Sequence, residues 1–516
     1  MSLKREGKVL PLIKAHPYSI SAMICILFWL VTGGTVRFLN NAGISTMAMM
    51  VTYIALVVVI IAAGTVLGIR KRLDTSALIL LIAAAGILAR MWFAMYSMAN
   101  DPYQHDIGNF DRNPVNAVHD NYIFYLYDNC RLPDYDFRGY GQFYHPPLHH
   151  IISAVAMKIN SVVFPGRAGN YEFLMCISLF YSLVTMILLY KILRFFKIEG
   201  TALVASFMLV AFYPFLIISA GQINNDPPAN MFFIAAFYNA LRWYERPGYK
   251  RIILTAVCIG LAMMSKLSTG LIAVPVGFIF LVGLLRSRFR DKHIWLQFLS
   301  FAGIAFPLGL WFPVRNLIRW GIPPTYVFDL GIIPSQDLSG YSLTERLFGT
   351  SEASMSIPYV IFDENYKEFN IFTVLFKSSL FDDFDHHDKF GITLIATILL
   401  FLGLILVIMF IVGLIKALIR AFRKHDTCLF AVLIMLVTEF ASIIVFAFKY
   451  PLTCSVNFRY VFPTVICFLL FTALCFPKSG NEYRRLLQKI SMGVIVLFSV
   501  TSIAFYACEW TAMPFF

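Results

Sequence analysis

Apolar runs of about 20 residues follow one another along nearly the whole chain, each long enough to cross a ~30 Å hydrocarbon core as a helix. Short polar segments between them carry most of the Lys and Arg. The runs are apolar on every face, whereas barrel strands alternate polar and apolar positions, so the pattern predicts helices and excludes a β-barrel. It places 13 spans near 18–38, 47–68, 75–97, 171–193, 200–221, 227–243, 250–265, 268–285, 296–314, 389–417, 428–447, 457–476 and 489–509. The fold class is an all-α polytopic membrane protein.

The short basic segments set the orientation. With the N-terminus inside, the inner loops carry Arg70-Lys71-Arg72, Lys191/Arg194/Lys197 and Arg242/Arg246/Lys250/Arg251. Then come Arg286/Arg288/Arg290/Lys292, Lys416/Arg420/Arg423/Lys424 and Lys478/Arg484/Arg485/Lys489, all on the same side. This holds only if the run at 147–164 stops short of a crossing, so it is expected to be a tilted, re-entrant or interfacial helix. The outer side then carries two large segments, 98–146 and 315–388, with short turns at 222–228, 265–268 and 448–456. The C-terminus falls outside. Residues 1–74 form a two-helix extension and 75–516 the main membrane domain.

Composition agrees: 59% of residues are hydrophobic and 14% charged, against about 25% charged in soluble domains. The net charge of +13 sits largely in short loops, where it orients helices, and gives no reason to expect nucleic acid. The start, MSLKREGKVLPLIKAHPYS, is basic but lacks the short apolar core and cleavage site of a signal peptide, so the first span is expected to be retained. The nine cysteines lie mostly inside apolar runs without CxxC spacing, the pattern of inert buried thiols. Only Cys130 and Cys454 are expected to reach the outer side, where a pairing between them stays open.

The first outer segment holds seven aspartates, three arginines and no lysine, and is too long for a simple connector. Asp106, in NDPYQHDIGNFD, falls near the membrane surface. There it could act as a general base, bind a metal or cap a helix; Asp101 is a weaker candidate and Asp111 shares the ambiguity. HDNYIFYLYDN reads as a juxtamembrane helix, with Tyr122 and Tyr125 at headgroup depth. In QFYHPPLHH, Pro146 and Pro147 suit a first helical turn, and His145 and His149 are spaced to share a face. These histidines admit three readings: polar anchors, donors to a phosphate or sugar, or metal ligands.

GQINNDPP places Asn225 and Asp226 at a helix N-terminus, a favourable place for an anion. Lys266 in MMSKLSTGLI, Arg315 in FPVRNLIRW and Arg459 in SVNFRY lie at the outer ends of spans. Each alone is an ordinary interfacial anchor, with Lys449 free to snorkel. Together they suit an anionic lipid headgroup, since Arg grips phosphate bidentately and Lys acts as a point charge. SLFDDFDHHDKFG, at 379–391, is either a solvated loop or a ligand set for a divalent ion. Its spacing matches no metal motif, so no metal ligand is assigned; a divalent metal is possible but not required.

The order of these stretches resembles one group. A span ends in an acidic loop with HDIGNFD, followed by FYHPPLHH, NNDPP, GLAMMSKLSTGLI and a late RY. Over about 75–480 the chain looks like bacterial relatives of the protein O-mannosyltransferases and aminoarabinose transferases of the GT-C superfamily. The resemblance implies transfer of a sugar from a polyprenyl-phosphate donor to a glycan, lipid or protein acceptor, on the outer face of a bacterial-type plasma membrane. It implies Asp106 as the base and Lys266 as a contact to the lipid phosphate. His105, Asp101, His145, His149, Asn225, Asp226, Arg315 and Arg459 complete the expected substrate-binding set. The family's acidic pair in the first loop is absent, since His105 and Ile107 flank Asp106. Two other classes fit the hydrophobic pattern: a transporter or lipid-carrier flippase, and a non-catalytic lipid-binding relative. Transporters tend to show repeats and midplane charges; here no repeat is visible and the polar residues gather at one surface.

Overall fold

The computed structural model describes residues 15–32, 45–97, 99, 104–108, 110, 118–165, 171–331, 333–362, 366–383, 390–477 and 480–511. Every predicted span, where described, falls on a helix. Nine stretches are long and apolar enough to cross a membrane: Val51–Ile69, Thr75–Met95, Glu172–Phe195, Leu267–Arg286, Lys292–Trp320, Gly391–Lys424, Thr427–Lys449, Thr453–Cys475 and Glu482–Ala507. The protein is therefore an integral membrane protein. The other four predicted spans coincide with helices that are shorter or more polar: Pro17–Val31, Gly200–Phe212 with its continuation Pro214–Ile218, Asp226–Glu245 and Tyr249–Ser265. Length and apolarity thus support nine crossings among the described residues, against the 13 expected from the sequence.

Several helix starts follow from single capping residues. Asp74, Asp291 and Asp426 accept from the backbone N–H of Ala77, His293 and Leu429 at 2.7, 2.9 and 3.2 Å. Each satisfies a donor that the first helical turn leaves open. Trp243 on Asp226–Glu245 is fully buried and donates to Gln297 Oε1 at 2.7 Å.

The predicted span at 200–221 is broken. Gly200–Phe212 has 13 residues, about 20 Å of helix at 1.5 Å per residue, and the chain restarts at Pro214. A proline there has no N–H to offer Val210. Arg90, fully buried on Thr75–Tyr96, supplies the missing donor: its Nη2 lies 2.8 Å from the Val210 carbonyl and its Nη1 2.7 Å from that of Ala211. The same guanidinium also reaches Gly86 O at 3.0 Å and Ser182 Oγ at 3.1 Å. Gly86 permits this approach, because a Cβ there would meet Ala211 Cβ at 2.9 Å.

The run at 147–164 forms the helix Leu148–Val163, one residue after Pro147. His149, His150, Ser153 and Asn160 on it are buried, while Val155, Ile159, Val162 and Val163 are exposed, with Lys158 the charged residue among them. That inverted amphipathicity suits a helix whose outer face touches lipid.

The second long segment between spans, expected from 315, begins later, since Lys292–Trp320 continues past Arg315. It contains the short helices Leu343–Phe348 and Glu352–Ser356 and the helix Ile371–Phe381. Lys377 pairs with Glu368 in its buried interior. The segment is tied to the 450–454 turn by Leu338 N to Pro451 O at 2.7 Å and Thr453 N to Gln336 O at 3.0 Å. Cys130 and Cys454 are both free thiols.

Candidate functional site

Helix ends build the site. Asp226 opens the helix Asp226–Glu245, and Lys266 caps the C-terminus of Tyr249–Ser265. The two helices pack side by side, so Lys266 Nζ meets Asp226 Oδ1 in an ion pair. Asn225 locks the same corner by donating from Nδ2 to the Ser265 carbonyl at 3.1 Å. Arg459 lies in the 3-10 turn Phe458–Thr464. It donates from Nη1 to Asp106 Oδ2 at 3.2 Å and from Nη2 to the Tyr460 hydroxyl at 2.9 Å. The Tyr460 ring also faces Lys266, with Nζ 4.9 Å from its centroid. The two cations thus share one aromatic neighbour.

The loop bearing Asp106 is fixed from several sides. Asp106 adopts a left-handed backbone, φ +55°, uncommon for a residue with a Cβ. Gln104 bridges to the 221–223 turn, donating to Gly221 O at 2.8 Å and accepting from Ile223 N at 2.9 Å. The buried Asp120 accepts from Gly108 N at 3.0 Å and Phe110 N at 2.9 Å, and His119 N donates to Asp106 O at 2.8 Å. Next to Asp106, the His105 ring sits between two carboxylates: Nε2 is 2.8 Å from Asp382 Oδ2, and Nδ1 is 3.3 Å from Asp383 Oδ1. Asn457 orients Asp382 by donating to Oδ1 at 2.8 Å. One ligand atom each from His105, Asp382 and Asp383 fall within 4.8 Å of one another, close enough to hold a metal ion.

These groups surround a cavity of about 860 Å³. Its polar wall includes His105, Asp106, His145, Asp226, Lys266 and Arg459, and its apolar wall Leu271, Phe312, Ile443 and Phe446. Burial would raise the Asp106 pKa, but Arg459 and His105 outweigh it and hold the carboxyl below its usual value. Burial would likewise lower that of His105, yet Asp382 and Asp383 raise it above the ordinary imidazole value. At His145 burial wins, assisted by Lys266, and pushes the imidazole down to about 3. It is therefore neutral at physiological pH.

The predicted residues divide as follows. Asp106, His105, His145, Asn225, Asp226, Lys266 and Arg459 all line the cavity. His149 is buried behind it, edge-on to His119 and His150. Arg315 does not line it: its guanidinium bonds Asn316 Oδ1 at 3.2 Å and the Pro133 carbonyl, and lies 4.7 Å from the Trp320 ring centroid. With Lys292–Trp320 running past it, Arg315 braces the 133–138 loop. Asp101 and Asp111 lie outside the described residues. Tyr122 is fully buried, stacked on Phe143 and His150. Sequence reasoning missed His119, Asp120, Tyr144, Asn457 and Tyr460. Tyr460 stood in the quoted SVNFRY, and Asp120 in HDNYIFYLYDN, a stretch read only as a juxtamembrane helix.

A helical membrane protein with cations and carboxylates gathered at helix ends around one cavity is the class that fold and site define. Residues 144–311 match the family model described as dolichyl-phosphate-mannose-protein mannosyltransferase, which bears out the resemblance read from the motifs. No curated protein matches the chain. Among solved structures, ArnT from Cupriavidus metallidurans bound to undecaprenyl phosphate aligns with a TM-score of 0.48 and 12% identity, covering 85% of this chain and 77% of that one. The oligosaccharyltransferase AglB from Archaeoglobus fulgidus, in complex with an inhibitory peptide and a dolichol-phosphate, aligns with a TM-score of 0.45 and 14% identity. That alignment covers 83% of this chain and 55% of AglB, so the chain spans about half of the archaeal protein.

Proposed function

We propose that this chain is an inverting membrane glycosyltransferase. It moves a sugar from a polyprenyl-phosphate donor to an acceptor hydroxyl on a glycan, lipid or protein, at the outer face of the membrane with the N-terminus inside. The observation that carries this reading is one cavity faced by the Asp106 carboxylate and by both cations, Lys266 and Arg459. Displacing phosphate from an anomeric carbon in one step requires a base on the incoming hydroxyl and positive charge on the leaving oxygen. The carboxylate and the cations are the groups that supply these. The apolar wall offers the donor's first isoprene units a path between spans.

The ion pairs of the site fit this chemistry. Arg459 holds Asp106, and Lys266 holds Asp226. An incoming phosphate competes for both cations. As Arg459 turns toward the phosphate, Asp106 loses the larger of the two charges that hold its pKa down and becomes a better proton acceptor. Donor binding thereby prepares the base. His145, neutral and facing the same cavity, can donate to a phosphate or sugar oxygen.

The test is transfer from a defined polyprenyl-phosphate sugar by purified protein. Asp106→Asn is expected to keep donor binding and to lose turnover by about 10²–10⁴-fold, the usual contribution of a positioned base. Full activity in that variant, with the fold intact, removes Asp106 from the role. Donor binding without transfer to any acceptor points to a lipid-binding protein instead.

A further inference from the structure

We propose that His105, Asp382 and Asp383 bind one divalent first-row transition ion, Mn²⁺ or Zn²⁺, beside the Asp106 carboxylate. The three residues come from distant parts of the chain, the first outer loop and the C-terminal end of Ile371–Phe381. They are the one trio of this kind among the described residues.

Three observations point to an ion. The first is spacing: His105 Nε2 and Asp382 Oδ2 are 2.8 Å apart, about the separation of two neighbouring ligands ~2.1 Å from one ion at right angles. Asp383, whose Oδ1 lies 3.3 Å from the other ring nitrogen, Nδ1, has a carboxylate oxygen within 4.8 Å of both and rotates to complete the set. The second is orientation. Asp382 Oδ1 is occupied by Asn457 Nδ2 at 2.8 Å and Asp383 N at 3.1 Å, which turns Oδ2 toward the imidazole. Such outer hydrogen bonds typically fix metal-binding carboxylates. The third is charge. Asp382 and His105 are buried and Asp383 is nearly so, so two carboxylates stand against one imidazole. An imidazolium cancels one of their charges, whereas a divalent ion cancels both. Arg459 is already engaged by Asp106 and Tyr460.

An imidazole nitrogen with two carboxylate oxygens favours Mn²⁺ or Zn²⁺ over Ca²⁺ or Mg²⁺, which prefer all-oxygen sites. His105 and Asp383 both face the cavity. The ion therefore keeps open positions toward it, where water or a substrate oxygen can coordinate and be polarised.

The experiment follows Mn²⁺ uptake by the metal-stripped full-length protein, using the electron paramagnetic resonance signal of free Mn²⁺. One Mn²⁺ per chain is expected, displaced by Zn²⁺, with spin-echo modulation from one directly bound imidazole nitrogen. His105→Asn and Asp383→Asn should each weaken uptake tenfold or more, while Asp329→Asn, elsewhere on the cavity wall, leaves it unchanged. An undiminished free-Mn²⁺ signal with the wild-type protein overturns the proposal and leaves an imidazolium to balance the carboxylates. Bound Mn²⁺ without imidazole modulation also overturns it, and that arm needs no variant to fold. The readout is metal uptake, so this proposal and the transferase reading fail separately.

Discussion

Arg90 Nη2 donates to the carbonyl of Val210 at 2.8 Å, in the place of the N–H that Pro214 cannot provide. Inside a bilayer no water can satisfy that carbonyl, so a buried cation does. Arg90→Met leaves the carbonyls of Val210 and Ala211 without this donor, at about 1–3 kcal/mol each before the relief of burying no charge is counted. Thermal unfolding in detergent should show a lower midpoint. Adding Pro214→Ala to that variant restores an N–H for Val210 and should recover part of the loss. No recovery would mean that Arg90 acts through packing rather than through the broken helix.

Lys266 and Asp226 form an ion pair in which both side chains are largely buried. Removing one partner of such a pair typically costs about 3–5 kcal/mol, because the other is left buried and uncompensated. Lys266→Met alone should therefore lower both stability and donor affinity. The double variant Lys266→Met/Asp226→Asn should regain stability but not affinity, since only the lysine brings charge to the phosphate. Thermal unfolding and binding of a labelled polyprenyl phosphate separate the two effects. Restored affinity in the double variant would remove Lys266 from the phosphate site.

Hydrophobic periodicity exposed the helices because lipid forces every backbone group to be satisfied inside its own helix. The cavity-lining set was legible for a related reason. Polar residues at the ends of apolar runs, such as Asp106, Asn225, Lys266 and Arg459, stand out against their surroundings. What the pattern concealed depends on partners distant in sequence. Arg90 lies in the middle of the span predicted at 75–97, and its role appears only when Val210 and Pro214 are beside it. Asp382 and Asp383 stood in a stretch that reads as well as a solvated loop, until His105 is placed 2.8 Å from one and 3.3 Å from the other. Arg315 shows the opposite failure: its position at a span end resembles that of Lys266, but its helix continues and turns the side chain onto the 133–138 loop.

Four histidines pack together at the cavity wall, His119 and His145 lining it and His149 and His150 behind them. His119 Nδ1 is 2.9 Å from His150 Nε2, with His145 stacked on His119 and His149 against both His119 and His150. Facing them are Lys266, Arg459, Asp226 and Asp106. Burial lowers the pKa of His119 well below that of free histidine and that of His145 to about 3. The unfolded chain therefore binds more protons than the folded one below the unfolded value near 6.5. Stability should then fall as pH drops from 6.5 toward 3. His145→Gln should flatten that slope in unfolding measured from pH 7 to pH 4; an unchanged slope would place the acid-sensitive groups elsewhere.

Asp120 holds the loop that carries Asp106 without lining the cavity itself. Both its oxygens are taken by backbone donors, Gly108 N at 3.0 Å and Phe110 N at 2.9 Å. Gly108 leaves room for this clamp, since a Cβ there would lie 3.2 Å from Asp120 Oδ2. Asp120→Asn replaces one acceptor with an NH₂ group that faces a backbone N–H, so one donor loses its partner at about 1–3 kcal/mol. The left-handed turn at Asp106 is then free to relax, and the carboxylate moves relative to the attacking hydroxyl. Since small misplacements of a reacting group can cost ~10²-fold, kcat should fall by about that factor. The KM for the donor should change little, because Lys266 and Arg459 stay in place. A merely structural role for Asp120 would lower the amount of folded enzyme without this split. Asp120→Asn with normal kcat per folded molecule would show that the loop keeps its turn without the clamp.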